Sequence, residues 1–360
     1  MAARRPTLVV EDDSALRFIG VILSTDVDPE RIAAFQDFFA HDLPDFEGWL
    51  SALRKRLPAL YPADIQFVAD DAGLKAALPH ADALVVESCP VGAAEIAAAP
   101  RLRAVQKFGT IITGIDQHAC AARNIRLLTL RRRANVACAE HALALMLALA
   151  RKICDTNGLT NYARLRAAGY APKPLNRAHT ANSNWARIGG IRTLFGAKLG
   201  IFGLGEIGRE VALRAASCGM KIAYTQRHRL AADDEARYQA SYATLDTLLA
   251  ESDFICLHLP GNPATKGILG ARELTLIKPG AMLINTSRAE LVDRDALMNA
   301  LATGRLGGYA TDLPFEEPGR DDDPLLGLRN VIVTPHIAAQ PRFNFLADFE
   351  DMMINLEHVL

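Results

Sequence analysis

The sequence predicts an α/β protein with two Rossmann-like domains, each built on a doubly wound parallel sheet, and a deep cleft between the domains. Three observations lead to this prediction. Short apolar segments of β type alternate with helical segments along the chain, which is typical of parallel sheets. A glycine-rich turn joins one such segment to a helical one at residues 198–208. The length of 360 residues accommodates about two domains.

The first predicted domain covers residues 1–152, is expected to carry the substrate, and is completed by a C-terminal helix within residues 338–360. Short apolar runs predict its strands at Phe18–Leu23, Ile65–Val68, Ala83–Val86, Ala104–Lys107 and Ile125–Leu130. Helices are predicted at Pro29–Ala40, Phe46–Leu57, Glu140–Lys152 and Phe343–Leu360. The last helix is amphipathic and is expected to pack on this domain.

The second predicted domain covers residues 153–337 and should bind a dinucleotide. Residues 155–196 are polar and rich in Asn, Arg, Pro and Gly, so they are expected to form an arm or connection used in dimer contacts. Six strands with intervening helices fit a complete dinucleotide-binding fold. These strands are predicted at Leu199–Phe202, Lys221–Tyr224, Phe254–Leu257, Ala281–Asn285, Gly308–Thr311 and Val331–Thr334.

Composition narrows the partners and the cellular location. The net charge is −1 without a long basic block, so a nucleic-acid partner is not expected. The longest apolar run, Ala142–Ala150, is too short to cross a bilayer, and the first ten residues do not resemble a signal peptide. Six cysteines are scattered without a C-x-x-C pattern, which favours reduced thiols and no metal site. A cytoplasmic protein without a membrane partner is expected.

The glycine-rich turn predicts dinucleotide binding. Gly203, Gly205 and Gly208 form G-x-G-x-x-G, and Glu206 and Ile207 open the following helix. The first glycine allows a tight turn, the second lets a pyrophosphate approach the backbone, and the third lets helix and strand pack closely. The helix N-terminus favours the anionic diphosphate. The alternative is a glycine turn without a ligand, since the motif alone is weak.

The residues after the next strand predict which nicotinamide dinucleotide binds. NAD sites of this kind hold the ribose with an acidic residue about 20 positions after the first glycine. Here that position is Gln226, and Arg227, His228 and Arg229 follow it. Cations attract a 2′-phosphate that a carboxylate would repel, so NADP(H) is predicted to be preferred, with NAD(H) possible. Alternatively, these are solvated turn residues and both cofactors are accepted.

Several motifs, in this order, resemble those of the D-isomer-specific 2-hydroxyacid dehydrogenases, in particular enzymes of the glyoxylate and hydroxypyruvate reductase type. The resemblance covers roughly residues 65–360, whereas residues 1 to about 60 look longer than the usual start of the family. The motifs that carry it are Gly109–Asp116, Asn135–Leu143, the glycine turn, Leu257–Pro260, Asn285–Arg288, Asp312–Pro318 and Thr334–His336.

The resemblance implies three catalytic residues. Arg288 would bind the substrate carboxylate and polarise the ketone, as a guanidinium can make paired bonds to both oxygens. His336 would donate the proton, since imidazole titrates near neutral pH. Glu317 would favour the imidazolium and orient its ring. The spacing from Asp312 favours Glu317 over the adjacent Glu316, although both could be solvated surface residues.

The resemblance also implies further binding residues. Cofactor contacts are expected at Leu259, Pro260, Thr286, Ser287, Asp312 and His336, in addition to the residues already named. Backbone N–H groups of Thr110 and Ile111 would meet the substrate carboxylate. Arg131, the first of three consecutive arginines, would either receive a second anionic group or carry charge on a solvated turn. The sequence departs from the family at Ile111, Thr113 and Ala289, which leaves the pose of the substrate open.

The predicted activity is hydride transfer between NADP(H) or NAD(H) and a small 2-keto or D-2-hydroxy acid, such as glyoxylate or hydroxypyruvate, in a homodimer. Phenylpyruvate-like substrates also fit this chemistry. One alternative is an enzyme like formate dehydrogenase, which needs no proton donor. Another is a dinucleotide-sensing protein like the corepressors of the family, which binds peptides.

Overall fold

The computed structural model describes residues 4–179 and 184–360, so residues 180–183 of the predicted arm lie outside the described residues. The chain forms two compact units. The first unit contains the residues up to Ala137 and the C-terminal segment Ala339–Leu360, and the second unit contains Cys138–Ala338. Each unit holds a parallel sheet with flanking helices, which confirms the predicted α/β class.

The first unit is built on a sheet with the strand order β2-β1-β3-β4-β5, in which every pair is parallel. Its strands are β1 Thr7–Glu11, β2 Asp64–Val68, β3 Ala83–Val86, β4 Ala104–Lys107 and β5 Arg126–Leu128. Its helices are α1 Phe18–Leu23, α2 Pro29–Phe39, α3 Phe46–Lys55, α4 Asp71–Ala77, α5 Ala93–Ala98, α6 Gln117–Ala122 and the C-terminal helix Phe343–Glu357.

The prediction of a strand at Phe18–Leu23 is wrong, because this segment is helix α1. The first strand is β1, Thr7–Glu11, which the sequence analysis missed. All six residues of α1 are buried, and an unbroken apolar run fits a buried helix as well as a buried strand. A local signal was present, since the Asp13 carboxylate accepts hydrogen bonds from the N–H groups of Ala15 and Leu16 and starts a turn.

The residues between β1 and β2 help to form the core of the first unit. Phe18 lies at the centre of an aromatic cluster, with its ring centroid 4.7 Å from that of Phe35 and 5.1 Å from that of Phe39. Phe349 of the C-terminal helix contacts Phe18 edge-on at 5.3 Å and also contacts Phe108. The long N-terminal segment therefore has a structural role in this unit.

The second unit is built on a sheet with the strand order β12-β11-β10-β9-β6-β7-β8. Its strands are β6 Lys198–Phe202, β7 Lys221–Thr225, β8 Ala240–Tyr242, β9 Phe254–Leu257, β10 Ala281–Asn285, β11 Leu306–Thr311 and β12 Val331–Val333. Strand β8 is a seventh strand that the sequence analysis missed, because two of its three residues are exposed and no apolar run marks it.

The helices of the second unit precede β6 or alternate with the strands from β6 to β11. They are α7 Arg133–Arg151, which begins in the first unit, α8 Ile153–Thr156, α9 Tyr162–Ala167, α10 Glu206–Ser217, α11 Ala232–Arg237, α12 Leu245–Glu251, α13 Ala271–Leu276 and α14 Arg294–Ala302. The order of the strands is that of a dinucleotide-binding fold, with the direction of winding reversed between β6 and β9.

Helix α7 begins seven residues earlier than predicted. The buried carboxylate of Asp348 accepts hydrogen bonds from the backbone N–H groups of Arg133, at 2.9 Å, and Ala134, at 3.5 Å. This supplies acceptors for the first N–H groups of the helix. By length and composition the helix could cross a membrane, but half of it is buried within the protein, and core helices meet the same criterion.

We predict that Phe349→Ala destabilises the first unit by about 3–5 kcal/mol, since it leaves a cavity in the aromatic cluster. Phe349 is fully buried, whereas Phe343 on the same helix is 57% exposed. Phe343→Ala is therefore the matched control and should change stability by less than about 1 kcal/mol. Urea unfolding of the two variants measures the difference, and equal losses would contradict this description of the core.

Candidate active site

The candidate active site lies along the edge of the second unit's sheet at which the parallel strands end. Ligands of open α/β sheets bind outside these carboxyl ends, at the point where the winding reverses. The segments that follow neighbouring strands are therefore brought side by side. In order from β12 to β6, these segments contain His336, Asp312, Arg288, His258 and Gly203. Strands β12 and β10 are two positions apart, or about 10 Å.

The glycine turn after β6 has the geometry that the motif predicts. Gly203 has φ +98°, and a Cβ there would overlap the carbonyl oxygen of His258. A Cβ at Gly208 would overlap the carbonyl oxygen of Gly203, so helix α10 and the turn approach closely. A Cβ at Gly205 would meet no atom of the described residues within 4 Å, its chain neighbours aside. That open space, beside the N-terminus of a 12-residue helix, suits a diphosphate.

Gln226, at the end of β7, reaches back to the glycine turn. Its side-chain oxygen accepts a hydrogen bond from the N–H of Leu204 at 3.0 Å, and its amide nitrogen donates to the carbonyl oxygen of His228 at 2.7 Å. Gln226 therefore connects the turn with the cationic segment that follows it. Its place beside the turn is the one at which this fold contacts an adenosine ribose.

An acidic residue, Glu235, lies beside this segment in the structure. Arg229 makes two hydrogen bonds to Glu235 of helix α11, at 2.9 and 2.8 Å, and Tyr224 donates a third at 2.7 Å. The Arg229 and Tyr224 bonds lower the pKa of Glu235 to about 2. Burial and the bond to Glu235 raise the pKa of Tyr224 to about 12.

Arg229 is therefore already paired with a carboxylate, and its charge is balanced locally. Arg227 and His228 are exposed, and the described residues form no ion pair with either. The positive charge that could attract a 2′-phosphate is then carried by Arg227 and by His228 when it is protonated. The preference for NADP(H) that was expected from this segment stays a prediction. Arg229 is expected to contribute less to it than Arg227.

His336 and Glu317 face each other, as the family motif implies. The Nδ1 atom of His336 lies 3.1 Å from an oxygen of Glu317, and both side chains are about half exposed, at 52% and 45%. The contact with Glu317 engages only Nδ1 of the ring. His336 has φ +55°, a left-handed backbone conformation that costs a non-glycine residue about 1–3 kcal/mol and is common at functional sites.

Asp312 holds the backbone around His336. Its carboxylate, 1% exposed, accepts hydrogen bonds from the N–H groups of Ile337 at 3.0 Å and Ala338 at 2.7 Å. Its carbonyl oxygen accepts a third from the N–H of His336 at 2.8 Å. These bonds fix three successive residues and offset the cost of the left-handed conformation. The predicted position of Asp312 beside a nicotinamide stays a prediction.

The turn that carries Arg288 is also fixed by hydrogen bonds. The buried Asn285 side chain donates to the carbonyl oxygen of Arg288 at 2.8 Å and accepts from the N–H of Ser287 at 3.0 Å. The Ser287 hydroxyl donates to the carbonyl oxygen of Leu257 at 2.7 Å. Arg288 is exposed, and one of its N–H groups donates to the carbonyl oxygen of Ser287. A guanidinium has five N–H donors, so a carboxylate can still be bound.

Ala289, where the family usually has glycine, is accommodated without strain. It begins a short 3-10 helix, Ala289–Leu291, and its φ is not positive. Its methyl group is buried. This departure from the family pattern therefore leaves the geometry of the Arg288 turn intact.

The edge of the sheet also carries polar atoms that fit a dinucleotide. The Thr286 hydroxyl and Nδ1 of His258 are buried without a hydrogen-bond partner among the described residues. Buried polar groups are normally paired, so both atoms are suited to a bound polar ligand. Leu259 and Pro260 follow β9 beside them. Together with the space at Gly205, these atoms fit a nicotinamide dinucleotide.

His258 has a second partner in the core. Its Nε2 atom lies 3.0 Å from the Cys256 sulfur. Burial raises the pKa of the Cys256 thiol and lowers the pKa of His258 from 6.5 to about 4. His258 is therefore neutral at physiological pH.

The remaining predicted substrate residues belong to the first unit. Thr110 is exposed and Ile111 half-buried, in the loop after β4, and Arg131 is exposed before helix α7. Their roles stay predictions. Arg132 and Arg133, which complete the triplet, contact residues of the first unit. Arg132 stacks on the Phe108 ring at 4.0 Å, and Arg133 pairs with Asp348 and Asp351 at 3.1 and 2.8 Å.

Two side chains that were not among the predicted site residues contact Asp312. The Thr334 hydroxyl lies 2.5 Å from an oxygen of Asp312, and Nε2 of His141 lies 2.9 Å from the Thr334 hydroxyl. Both stand in the motifs that carry the family resemblance, which was the available signal. No group of three or more potential metal ligands occurs in residues 4–179 and 184–360.

We predict a pH-dependent loss of stability from His258. Its pKa is about 4 in the folded protein and near 6.5 when unfolded. As the pH falls from 6.5 to 4, the unfolded chain binds a proton that the folded protein does not, so stability falls by roughly 3 kcal/mol. His258→Asn should remove this contribution, whereas His179→Asn, at an exposed position, should not. Denaturant unfolding at several pH values measures it, and an unchanged pH slope in His258→Asn would contradict it.

Comparison with known proteins identifies the family to which the chain is related. A family model described as the NAD binding domain of D-isomer specific 2-hydroxyacid dehydrogenases matches residues 143–338. D-3-phosphoglycerate dehydrogenase of Mycobacterium leprae is 35% identical over 272 residues, which are 75% of this chain and 47% of that protein. This chain thus spans about half the length of the phosphoglycerate dehydrogenases that it matches.

A shorter relative and a solved structure show the same relationship. Glyoxylate reductase of Thermococcus litoralis is 36% identical over 241 residues, or 67% of this chain and 69% of that protein. The structure of a Granulicella m. formate dehydrogenase is 26% identical, with a TM-score of 0.52, and the match covers 82% of this chain and 76% of that one. The protein belongs to the D-isomer-specific 2-hydroxyacid dehydrogenase family.

Proposed function

We propose that this protein transfers hydride between a nicotinamide dinucleotide and a small 2-keto or D-2-hydroxy acid. The observation that carries the proposal is the contact of 3.1 Å between His336 and Glu317. The pair lies on the sheet edge that also holds Arg288 and the glycine turn. One edge thus combines a proton donor, a cation for a carboxylate, and a site for a dinucleotide.

In the reduction of a 2-keto acid, the bound nicotinamide would supply the hydride to the keto carbon. Arg288 binds the substrate carboxylate and polarises the carbonyl oxygen, for which a fork of N–H donors is suited. The His336 imidazolium, which donates from Nδ1 to Glu317, gives its Nε2 proton to the oxygen as that atom gains negative charge. Glu317 stabilises the imidazolium before the transfer and holds the ring in place. In the oxidation of the hydroxy acid, the neutral imidazole accepts the proton.

Glyoxylate and hydroxypyruvate are the substrates that we propose first. A glyoxylate reductase is among the relatives that match most of their own length, and both acids offer the carboxylate and the adjacent carbonyl that Arg288 requires. We propose NADP(H) as the preferred cofactor, because Arg227 and His228 are exposed after β7 and Gln226 takes the place of the usual acidic residue. We also propose that the protein is cytoplasmic and that it forms a homodimer.

The similarity to a formate dehydrogenase does not favour formate as the substrate. Formate oxidation releases carbon dioxide and needs no group that donates a proton to a carbonyl oxygen. A glutamate that supports an imidazolium would have no task in that reaction. The contact between Glu317 and His336 therefore favours a keto acid.

We predict that His336→Gln lowers kcat for glyoxylate by about 10²–10⁴-fold, the usual range for loss of a general acid. Glu317→Gln should lower kcat by about tenfold or more, because the imidazolium loses a charged partner. The adjacent exposed Glu316 supplies the matched control, and Glu316→Gln should leave kcat within about twofold. Steady-state oxidation of NADPH measures all three. Equal effects of the two glutamate variants would contradict the role of Glu317.

We predict that Arg227→Ala raises KM for NADPH by about tenfold and changes KM for NADH by less than about twofold, because only NADPH has the 2′-phosphate. His228→Ala should have a smaller effect in the same direction. Lys221, an exposed cation at the opposite end of β7, provides the control Lys221→Ala. A preference for NADH in the parent enzyme, unchanged in Arg227→Ala, would contradict the proposed cofactor and leave the reaction standing.

A further inference from the structure

The direction of the His336 ring depends on an unusual backbone conformation. The residue has φ +55°. Residues other than glycine rarely adopt this left-handed backbone conformation unless neighbouring hydrogen bonds hold it. Whatever fixes the backbone of residues 336–338 therefore also fixes where the imidazole points. The group that does so is the Asp312 carboxylate, through the N–H groups of Ile337 and Ala338.

The Asp312 carboxylate must itself be held in one orientation. Its first oxygen, Oδ1, accepts from Ile337, and its second, Oδ2, accepts from Ala338. Rotation about the bond to the carboxylate would break both hydrogen bonds. The Thr334 hydroxyl also contacts Oδ1, at 2.5 Å, and adds a third bond against this rotation.

The donors and acceptors in this chain of contacts can be assigned from chemistry. An ionised carboxylate only accepts hydrogen bonds, so the Thr334 hydroxyl donates its one hydrogen to Asp312. The Thr334 oxygen is then an acceptor for Nε2 of His141, 2.9 Å away, which must carry a hydrogen. Nε2 of His141 also lies 3.4 Å from Oδ1 of Asp312. Donation thus runs from His141 through Thr334 to Asp312.

We infer that His141 and Thr334 are positioning residues, which act through Asp312 to aim the ring of His336. His141 is on helix α7, whereas Thr334, His336 and Asp312 lie in the segments after β12 and β11. The contact therefore ties the loop of the proton donor to a long core helix. This inference rests on the proposed role of His336 as the proton donor.

Variants at Thr334 separate the hydroxyl from the rest of the side chain. Thr334→Val keeps the shape and removes the hydroxyl, and Thr334→Ser keeps the hydroxyl. We expect Thr334→Val to lower kcat by about 10–100-fold while KM changes by less than about threefold, because a misaligned donor slows the chemical step more than binding. Thr334→Ser should stay within about threefold of the parent kcat. Thr7→Val, at a buried threonine of the first unit, controls for the loss of a buried hydroxyl.

Variants at His141 provide a second, independent arm in case Thr334→Val fails to fold. His141→Gln retains an N–H donor at nearly the same reach, whereas His141→Leu removes it. We expect His141→Leu to lower kcat as Thr334→Val does, and His141→Gln to retain most of the parent kcat. Thermal unfolding of each variant identifies effects that come from stability alone.

The third arm observes His336 without relying on turnover. In protein labelled with ¹⁵N-histidine, the ring resonances of His336 report its contact with Glu317, and His336→Gln identifies them. We expect Thr334→Val and His141→Leu to shift these resonances, and the Ser and Gln variants to preserve them. Folded Val and Leu variants with unshifted resonances and kcat within about threefold of the parent would overturn the inference.

The measurements of kcat and of the His336 resonances can fail independently, so they test the positioning role and the proposed function separately. If the parent protein reduces no 2-keto acid, the proposed function fails, and the resonances of His336 still decide whether His141 and Thr334 position its ring. If the parent is active, kcat and the resonances must change together. A change in kcat with unshifted resonances would overturn the positioning role.

Discussion

The rest of the site depends on the hydrogen bonds of the buried Asp312 carboxylate. A carboxylate that is removed from water is costly unless hydrogen bonds replace its hydration. Here the donors are the N–H groups of Ile337 and Ala338 and the Thr334 hydroxyl. The same bonds stabilise a left-handed conformation at His336. The His336 ring is therefore held through its backbone as well as by its own contact with Glu317.

The order of the strands explains how distant parts of the chain come together in this site. His141 and Thr334 are 193 positions apart in sequence, and they meet because helix α7 packs on the sheet that contains β11 and β12. At the other end of the edge, the carbonyl of His258 would collide with a side chain at Gly203. A parallel sheet with its carboxyl ends aligned thus brings the glycine turn, Arg288 and His336 to one edge from separate strands.

Much of this structure could be predicted from the sequence, because short apolar runs bounded by turns mark buried parallel strands. Ala83–Val86, Ala104–Lys107, Phe254–Leu257 and Ala281–Asn285 were predicted with their observed bounds. An apolar run does not distinguish a fully buried helix from a buried strand, as helix α1 shows. A strand that is mostly exposed, such as β8, has no apolar run to predict it. The pairing of Arg229 with Glu235 depends on the turn into helix α11, which composition does not reveal.

The residues of the candidate site could be predicted from the sequence, but most of the hydrogen bonds between them could not. Family motifs indicated His336, Glu317 and Asp312, and the structure brings the three together. The motifs did not indicate that Asp312 binds the backbone of the loop that carries His336, or that His141 and Thr334 complete a chain of donors. Such bonds join side chains to main-chain groups on other strands, so they follow from the topology of the sheet and not from local sequence.

The most direct test of the central claim is the reaction with hydroxypyruvate, followed by the absorbance of reduced nicotinamide and by chiral analysis of the product. The proposed function predicts that the protein oxidises the reduced cofactor and forms D-glycerate, and that His336→Gln nearly abolishes this turnover. Turnover that survives the loss of His336 would contradict the assignment of this histidine as the proton donor, and formation of the L isomer would contradict the proposed D-2-hydroxy acid product.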